Sequence, residues 1–158
     1  MFDNHEKVID MSKTFLGIHL VIGTKGRMQT ITPEHRRLIY AYFHKVLTDR
    51  NCKTIRINGM ADHIHLAFNM HPSVALSTMV RDMKSESSRW ITNEGHFPHF
   101  MGWSKGYYAA SFSYEEREAI AEYIKGQETH HSGYGYLQEI QGLVSRTGLT
   151  WHDDDFNL

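Results

Sequence analysis

The stretch Asp62-His63-Ile64-His65-Leu66-Ala67-Phe68 decides how this chain folds. A strand turns successive side chains to opposite faces, so Ile64, Leu66 and Phe68 enter a core while His63 and His65 emerge together on the other side. Two imidazoles on one patch of sheet can grip a single divalent cation, and Asp62 stands where it can orient a ring or act as an outer acceptor. The same pattern also describes two ordinary, partly exposed histidines. The rest of the chain has to decide between them.

Working outward, Lys53 to Asn58 reads as a short strand with Ile55 and Ile57 inward, and Gly59 turns the chain into the histidine strand as a hairpin. Upstream, Phe15 to Ile22 alternates, with Leu16, Ile18, Leu20 and Ile22 on one face and a turn at Gly23 to Gly26. Thr32 before Pro33 predicts a capped helix carrying Leu38, Ile39, Tyr42, Phe43, Val46 and Leu47. Downstream, Pro72 opens a second helix that buries Leu76, Val80, Met83, Ser87 and Trp90 and turns Arg81, Lys84, Ser85 and Ser88 away. Lys105 to Phe112 reads as a fourth strand. Ser113-Tyr114-Glu115-Glu116 has capping-box spacing ahead of a third helix reaching about His131. Gly133 and Gly135 then break the pattern, Tyr136 to Ser145 forms a short fourth helix, and residues 151–158 make an acidic end.

This order spells an α+β, ferredoxin-like split βαβ arrangement (βαββαβ): an antiparallel sheet with helices on one face and an added helix after the fourth strand. The opposite face, open or partly crossed by that added helix, is where a site belongs. Residues 1–158 are expected to form a single domain with its core at about 12–149.

Composition narrows the class. At 41% hydrophobic and 22% charged the chain is globular, and it holds no apolar run near the ~20 residues of a membrane span and no signal-peptide pattern, so a cytoplasmic location is expected. Cys52 is alone, so any metal must be held by the 12 histidines and by oxygen ligands. Net charge is −1, unlike a typical nucleic-acid binder, yet residues 7–105 carry 14 Lys and Arg against 7 Asp and Glu, while residues 106–158 carry 3 against 9. A basic body is separated from an acidic end.

On the third helix Ile120, Tyr123, Ile124 and Gln127 share one stripe. A buried Gln127 needs a partner for its amide oxygen, and a hard cation held by His63 and His65 supplies one. Gly126 interrupts this helix at a cost of roughly 1 kcal/mol relative to alanine.

With these residues in place, the chain resembles the single-tyrosine HUH transposases of small bacterial insertion sequences and the related repeat-associated tyrosine transposases, over Ser12 to Leu149. The resemblance rests on Asp62-His63-Ile64-His65-Leu66, on Lys84-Ser85-Glu86-Ser87-Ser88-Arg89-Trp90, and most specifically on Tyr123-Ile124-Lys125-Gly126-Gln127-Glu128-Thr129-His130-His131. It implies that His63, His65 and Gln127 hold Mg²⁺ or Mn²⁺, and that Tyr123 attacks a DNA phosphodiester to leave a 5′-phosphotyrosine and a free 3′ hydroxyl. It also implies single-stranded DNA with hairpin-bearing ends as substrate, and a homodimer in which tyrosine helices can complete partner sites. The ligand set also suits zinc. Arg56, Arg81, Lys84, Arg89 and Lys105 are candidate backbone contacts, and Trp103, Tyr107 and Tyr108 candidate stacking residues. Two features depart from the family, the near-neutral charge and Ala61 where relatives often carry proline.

Other readings are a non-catalytic RNA-binding module, echoed by Lys105-Gly106-Tyr107-Tyr108-Ala109-Ala110-Ser111-Phe112, and an HUH nicking enzyme acting on host repeats. Within catalysis the same site also suits a replication initiator or plasmid relaxase, which commonly carry a third histidine and often paired tyrosines in larger chains, or a water-using nuclease, which would leave no covalent adduct.

Overall fold

The computed structural model describes residues 12–130 and 135–152. Four strands, β1 (Gly17–Gly23), β2 (Lys53–Gly59), β3 (His63–Asn69) and β4 (Tyr108–Phe112), pair in the order β2-β3-β1-β4. All three pairings are antiparallel. With α1 (Arg36–Asp49) between β1 and β2, and α2 (Leu76–Glu94) between β3 and β4, this is the expected split βαβ sheet.

The alternation in β3 holds. Ile64, Leu66 and Phe68 join Ile18, Leu20 and Ile22 of β1 in one core, closed by Ile39, Phe43 and Leu47 of α1 and by Met79, Val80 and Met83 of α2. The other face is covered by α3 (Arg117–Lys125), which brings Ile124 onto Ala67 and Phe112, and by α5 (Tyr136–Arg146), whose Tyr136, Ile140, Leu143 and Val144 pack on Val21 and Tyr108. Between them lies the single turn α4 (Gln127–His130).

Several local expectations are corrected. Leu16 lies outside β1 and is 38% exposed, because the strand begins one residue later at Gly17. In β2 the register shifts between Thr54 and Arg56. That bulge sends Ile55 to the α3 side while Ile57 stays on the main core, since one extra residue reverses the alternation. Thr32 makes no capping bond; Pro33–His35 form a 3₁₀ turn that feeds α1. Pro72 sits in a turn, where His71 Nδ1 is 2.6 Å from Ser73 Oγ, and α2 starts four residues later at Leu76. The strand expected from Lys105 begins only at Tyr108. The capping box at Ser113 and Glu116 is present, though it opens a 3₁₀ turn before α3.

The third helix does not run on to His131. It stops at Gly126, where Asn58 Nδ2 donates to the carbonyls of Ile124 (3.0 Å) and Lys125 (3.2 Å). Glycine already makes a continuous helix costly, and the side-chain amide satisfies carbonyls that the next turn would have used. His131 and Gly133 lie outside the described residues, as do residues 153–158 of the acidic end. No helix among the described residues is long and apolar enough to cross a membrane.

Candidate active site

The hairpin between β2 and β3 sets the position of His63. A side chain at Gly59 would stand 2.2 Å from the His63 carbonyl, so only glycine lets the two strands close this tightly. His63 opens β3 opposite Gly23, and His65 follows opposite Val21. Both rings therefore leave the sheet toward α3, α4 and α5. They do not reach solvent: His63, His65 and Gln127 are fully buried and Glu139 is 2% exposed.

Glu139, on α5, is the centre of the cluster. Its Oε1 lies 2.9 Å from His65 Nε2 and 3.1 Å from His63 Nε2, and its Oε2 accepts hydrogen bonds from the Tyr123 hydroxyl (2.6 Å) and from Gln127 Nε2 (3.1 Å). Gln127 Oε1 is 3.0 Å from His63 Nε2. On the far side of that ring Asp62 Oδ1 stands 2.7 Å from Nδ1, which is the orienting position expected of it. The His63 ring is also stacked on Tyr136, with centroids 4.2 Å apart and planes within 5°. His65 Nδ1 meets His19 Nε2 at 2.8 Å.

The electrostatics follow from this packing. Burial pushes the Glu139 carboxyl up, but hydrogen bonds from His63, His65 and Tyr123 outweigh it and hold the group well below the usual carboxylate range. Burial works against a charged His63, yet its bonds to Asp62 and Glu139 prevail and raise its pKa. Burial and the adjacent His65 hold His19 down at about 3, against the pull of Glu139.

The donor set suits a divalent cation. Ligand atoms of His63, His65 and Glu139 all lie within 4.8 Å of one another. Adjacent ligands at the ~2.1 Å bond length of an octahedral magnesium site stand about 3.0 Å apart, and the separations here are 2.9, 3.0 and 3.1 Å. Two imidazoles with one carboxylate and one amide oxygen are hard to borderline donors that accept Mg²⁺, Mn²⁺ or Zn²⁺.

Sequence reasoning missed Glu139 and His19. A signal for Glu139 existed: it falls in the apolar stripe Tyr136, Ile140, Leu143 and Val144, where a carboxylate demands partners. His19 likewise sits among hydrophobic residues on β1, on the face opposite Ile18 and Leu20.

The residues expected to touch DNA divide. Trp103 is 8% exposed, gives its indole N–H to Ser87 Oγ (2.9 Å) and packs on Phe43 and Phe100, so most of the ring serves the core, and what is left of its surface lines the α2 groove. Tyr108 is buried beside Val21 and Ile140 and also serves a core. Arg56 is half-buried, with its Nε lacking a hydrogen-bond partner. Arg89 is exposed. Arg81, Lys84, Lys105 and Tyr107 line a groove of about 630 Å³ between α2 and residues 101–107, together with Lys25 and the hydroxyls of Ser77, Ser85 and Ser88. Within it Lys84 Nζ donates to the carbonyls of Ser104 and Gly106, each at 2.8 Å, and burial lowers its pKa to about 8. The sheet face that an RNA-recognition domain presents to bases is covered here by α3 and α5.

Comparison with known proteins agrees with this geometry. The model of the family "Transposase IS200 like" matches residues 12–127, a span that takes in His63, His65, Tyr123 and Gln127 and stops short of Glu139. The transposases for insertion sequence element IS200 of Salmonella typhimurium and Salmonella typhi are each 26% identical over 114 residues, covering 69% of this chain and 74% of theirs. Among solved structures, a Deinococcus radiodurans protein assigned as a transposase superposes with a TM-score of 0.58 at 24% identity, over 74% of this chain and 94% of that one. A repeat-associated (REP) tyrosine transposase bound to a REP hairpin superposes at 0.56 and 11% identity, over 76% and 72%. A family match over most of the chain, on a sheet that delivers the paired histidines, the tyrosine and the glutamine to one point, settles the relationship: this protein belongs to the IS200-like transposases.

Proposed function

We propose that this transposase cleaves and rejoins single-stranded DNA with Tyr123 as nucleophile and with a divalent cation, Mg²⁺ or Mn²⁺, held by His63, His65, Gln127 and Glu139. The observation that carries the reading is that one buried carboxylate, Glu139, touches both the histidine pair and the tyrosine hydroxyl. When bound, the cation supplies Lewis-acid neutralisation of the charge that develops on the scissile phosphate.

The chain's own residues do the rest. Tyr123 Oη forms a bond to phosphorus as the bond to the 3′ oxygen breaks, leaving a 5′-phosphotyrosine and a 3′ hydroxyl; attack by a 3′ hydroxyl then reverses the step and frees the tyrosine. Energy of the phosphodiester is conserved, so no ATP is needed. Glu139 Oε2 fixes the hydroxyl at 2.6 Å. Because its pKa is held far below the usual range, Glu139 stays ionised and acts as an orienting acceptor, not as the lasting home of the tyrosine proton. Asp62 holds the His63 ring.

The substrate is read as single-stranded DNA carrying hairpin ends, in keeping with the hairpin held by the structurally similar REP transposase. Lys25, Arg81, Lys105 and Tyr107 in the α2 groove are the contacts we assign to phosphates and bases. The working unit is read as a homodimer. The tyrosine helix packs on its own chain's sheet, so each subunit can supply both halves of a site.

Labelled single-stranded oligonucleotides bearing candidate element ends, incubated with the protein and Mg²⁺ or Mn²⁺ and run on denaturing gels, test the proposal. A covalent protein–DNA band that is absent for Tyr123→Phe and in chelator is the expected result. Cleavage without an adduct on cognate ends would overturn the tyrosine chemistry.

A further inference from the structure

His19 has no place in the chemistry above, yet it is buried in the centre of the sheet and joined to a site residue. It stands on β1 between Ala67 of β3 and Ala110 of β4, its register partners on either side. Two alanines leave the space an imidazole needs on a crowded sheet face. His65 is opposite Val21, so His19 is its diagonal neighbour, and the ring leans along the strand until its Nε2 is 2.8 Å from His65 Nδ1. The two rings are inclined by 23°, and the edges of Tyr108 and Tyr123 wall in the His19 ring at centroid distances of 5.8 and 6.1 Å.

We infer that His19 is a positioning residue for cation binding: through its Nε2 it lets His65 exchange tautomers, so that His65 Nε2 can present a lone pair to the cation. The inference rests on the metal reading given above. A neutral imidazole has one donor and one acceptor nitrogen. When His65 Nε2–H donates to Glu139 Oε1, at 2.9 Å, its Nδ1 has no proton and His19 Nε2–H donates to it. When His65 Nε2 binds a cation, its proton sits on Nδ1, and His19 must accept at Nε2 with its own single proton now on its Nδ1.

A partner able to play both roles is required, and a second imidazole is one. The contrast with His63 is direct. Its Nδ1 faces the Asp62 carboxylate, which accepts only and keeps the proton on Nδ1 throughout. The outer partners of metal-binding histidines commonly change affinity 10–100-fold, and an apolar residue at position 19 would leave a buried Nδ1–H without its acceptor in the cation-bound state.

Calorimetric titration of the full chain with Mn²⁺ tests this, using the unaltered protein, His19→Leu and His19→Gln. Leucine fills the slot but cannot accept; glutamine places an amide that can accept or donate where Nε2 stands. We expect His19→Leu to bind Mn²⁺ about 10–100-fold more weakly with an unchanged circular dichroism spectrum, and His19→Gln to recover most of the loss. Ring-¹⁵N NMR of the Mg²⁺-saturated protein should show His65 with its proton on Nδ1. Equal affinity of His19→Leu and the unaltered protein would overturn the inference, as would a folded His19→Gln no better than His19→Leu. So would a His65 ring protonated on Nε2 in the Mg²⁺-saturated protein, a result that needs no variant to fold. Failure of the unaltered protein to bind Mn²⁺ is a different result, because it removes the metal reading itself.

Discussion

The two faces of the sheet are built from the same strands and behave as different materials. On the α1 and α2 face, Ile18, Leu20, Ile22, Ile64, Leu66 and Phe68 meet other hydrophobic side chains, and none of the six needs a specific partner. On the other face the alternate residues of the same strands include His19, His63 and His65, buried just as deeply and each satisfied by a named atom. Hydrophobic burial is non-directional and tolerates exchange of shape for volume. Buried polar groups are directional and tolerate almost no exchange. One face of the sheet therefore carries the stability and the other carries the chemistry.

Breaking the apolar face should give the largest effect on folding. Leu66→Ala leaves a cavity in a fully buried position and should cost about 2–5 kcal/mol, read as a lower midpoint in urea unfolding, while any protein that remains folded keeps its Mn²⁺ affinity. A comparable loss of Mn²⁺ affinity in folded Leu66→Ala would show that the two faces are not independent.

The polar face should respond in the opposite way. Glu139→Gln keeps the shape and removes the charge that gathers His63, His65, Gln127 and Tyr123. Adduct formation should fall by roughly 100-fold or more, in line with loss of a preorganised electrostatic group, with a smaller change in unfolding midpoint than Leu66→Ala produces. Cleavage at the rate of the unaltered protein would remove Glu139 from the site.

Asn58→Ala sharpens the comparison at the boundary. The side chain joins edge strand β2 to the carbonyl end of the tyrosine helix through two hydrogen bonds. Its loss should cost about 1 kcal/mol or somewhat more and slow adduct formation by misplacing Tyr123, without changing Mn²⁺ affinity. An unaltered cleavage rate would mean that packing of Ile124 alone positions the helix.

Much of this is legible in the amino-acid sequence alone. The period-two alternation of β3, the Gly59 turn and the capping box are local patterns, and local patterns survive folding because neighbouring residues enforce them. The expectations that failed depended on more distant groups. Pro72 is as acceptable in a turn as at a helix start, and only the position of α2 on the core decides between them. The β2 bulge moves Ile55 to the other face, and nothing in the residues themselves marks it. Trp103 and Tyr108 have the composition of stacking residues, but their surroundings place them in two separate cores.

The histidines show the division most clearly. The sequence by itself determined that His63 and His65 share a face, because the strand period follows from backbone geometry alone; it also put Tyr123 and Gln127 on one helix face, although the helix breaks at Gly126 between them. It could not determine that both faces meet at Glu139, or that His19 lies behind His65. Those contacts join residues 12 to 74 positions apart or more loosely linked strands, and they exist only when α5 closes over the sheet. Tertiary structure decided them, since only burial makes a carboxylate and three imidazoles depend on one another as hydrogen-bond partners.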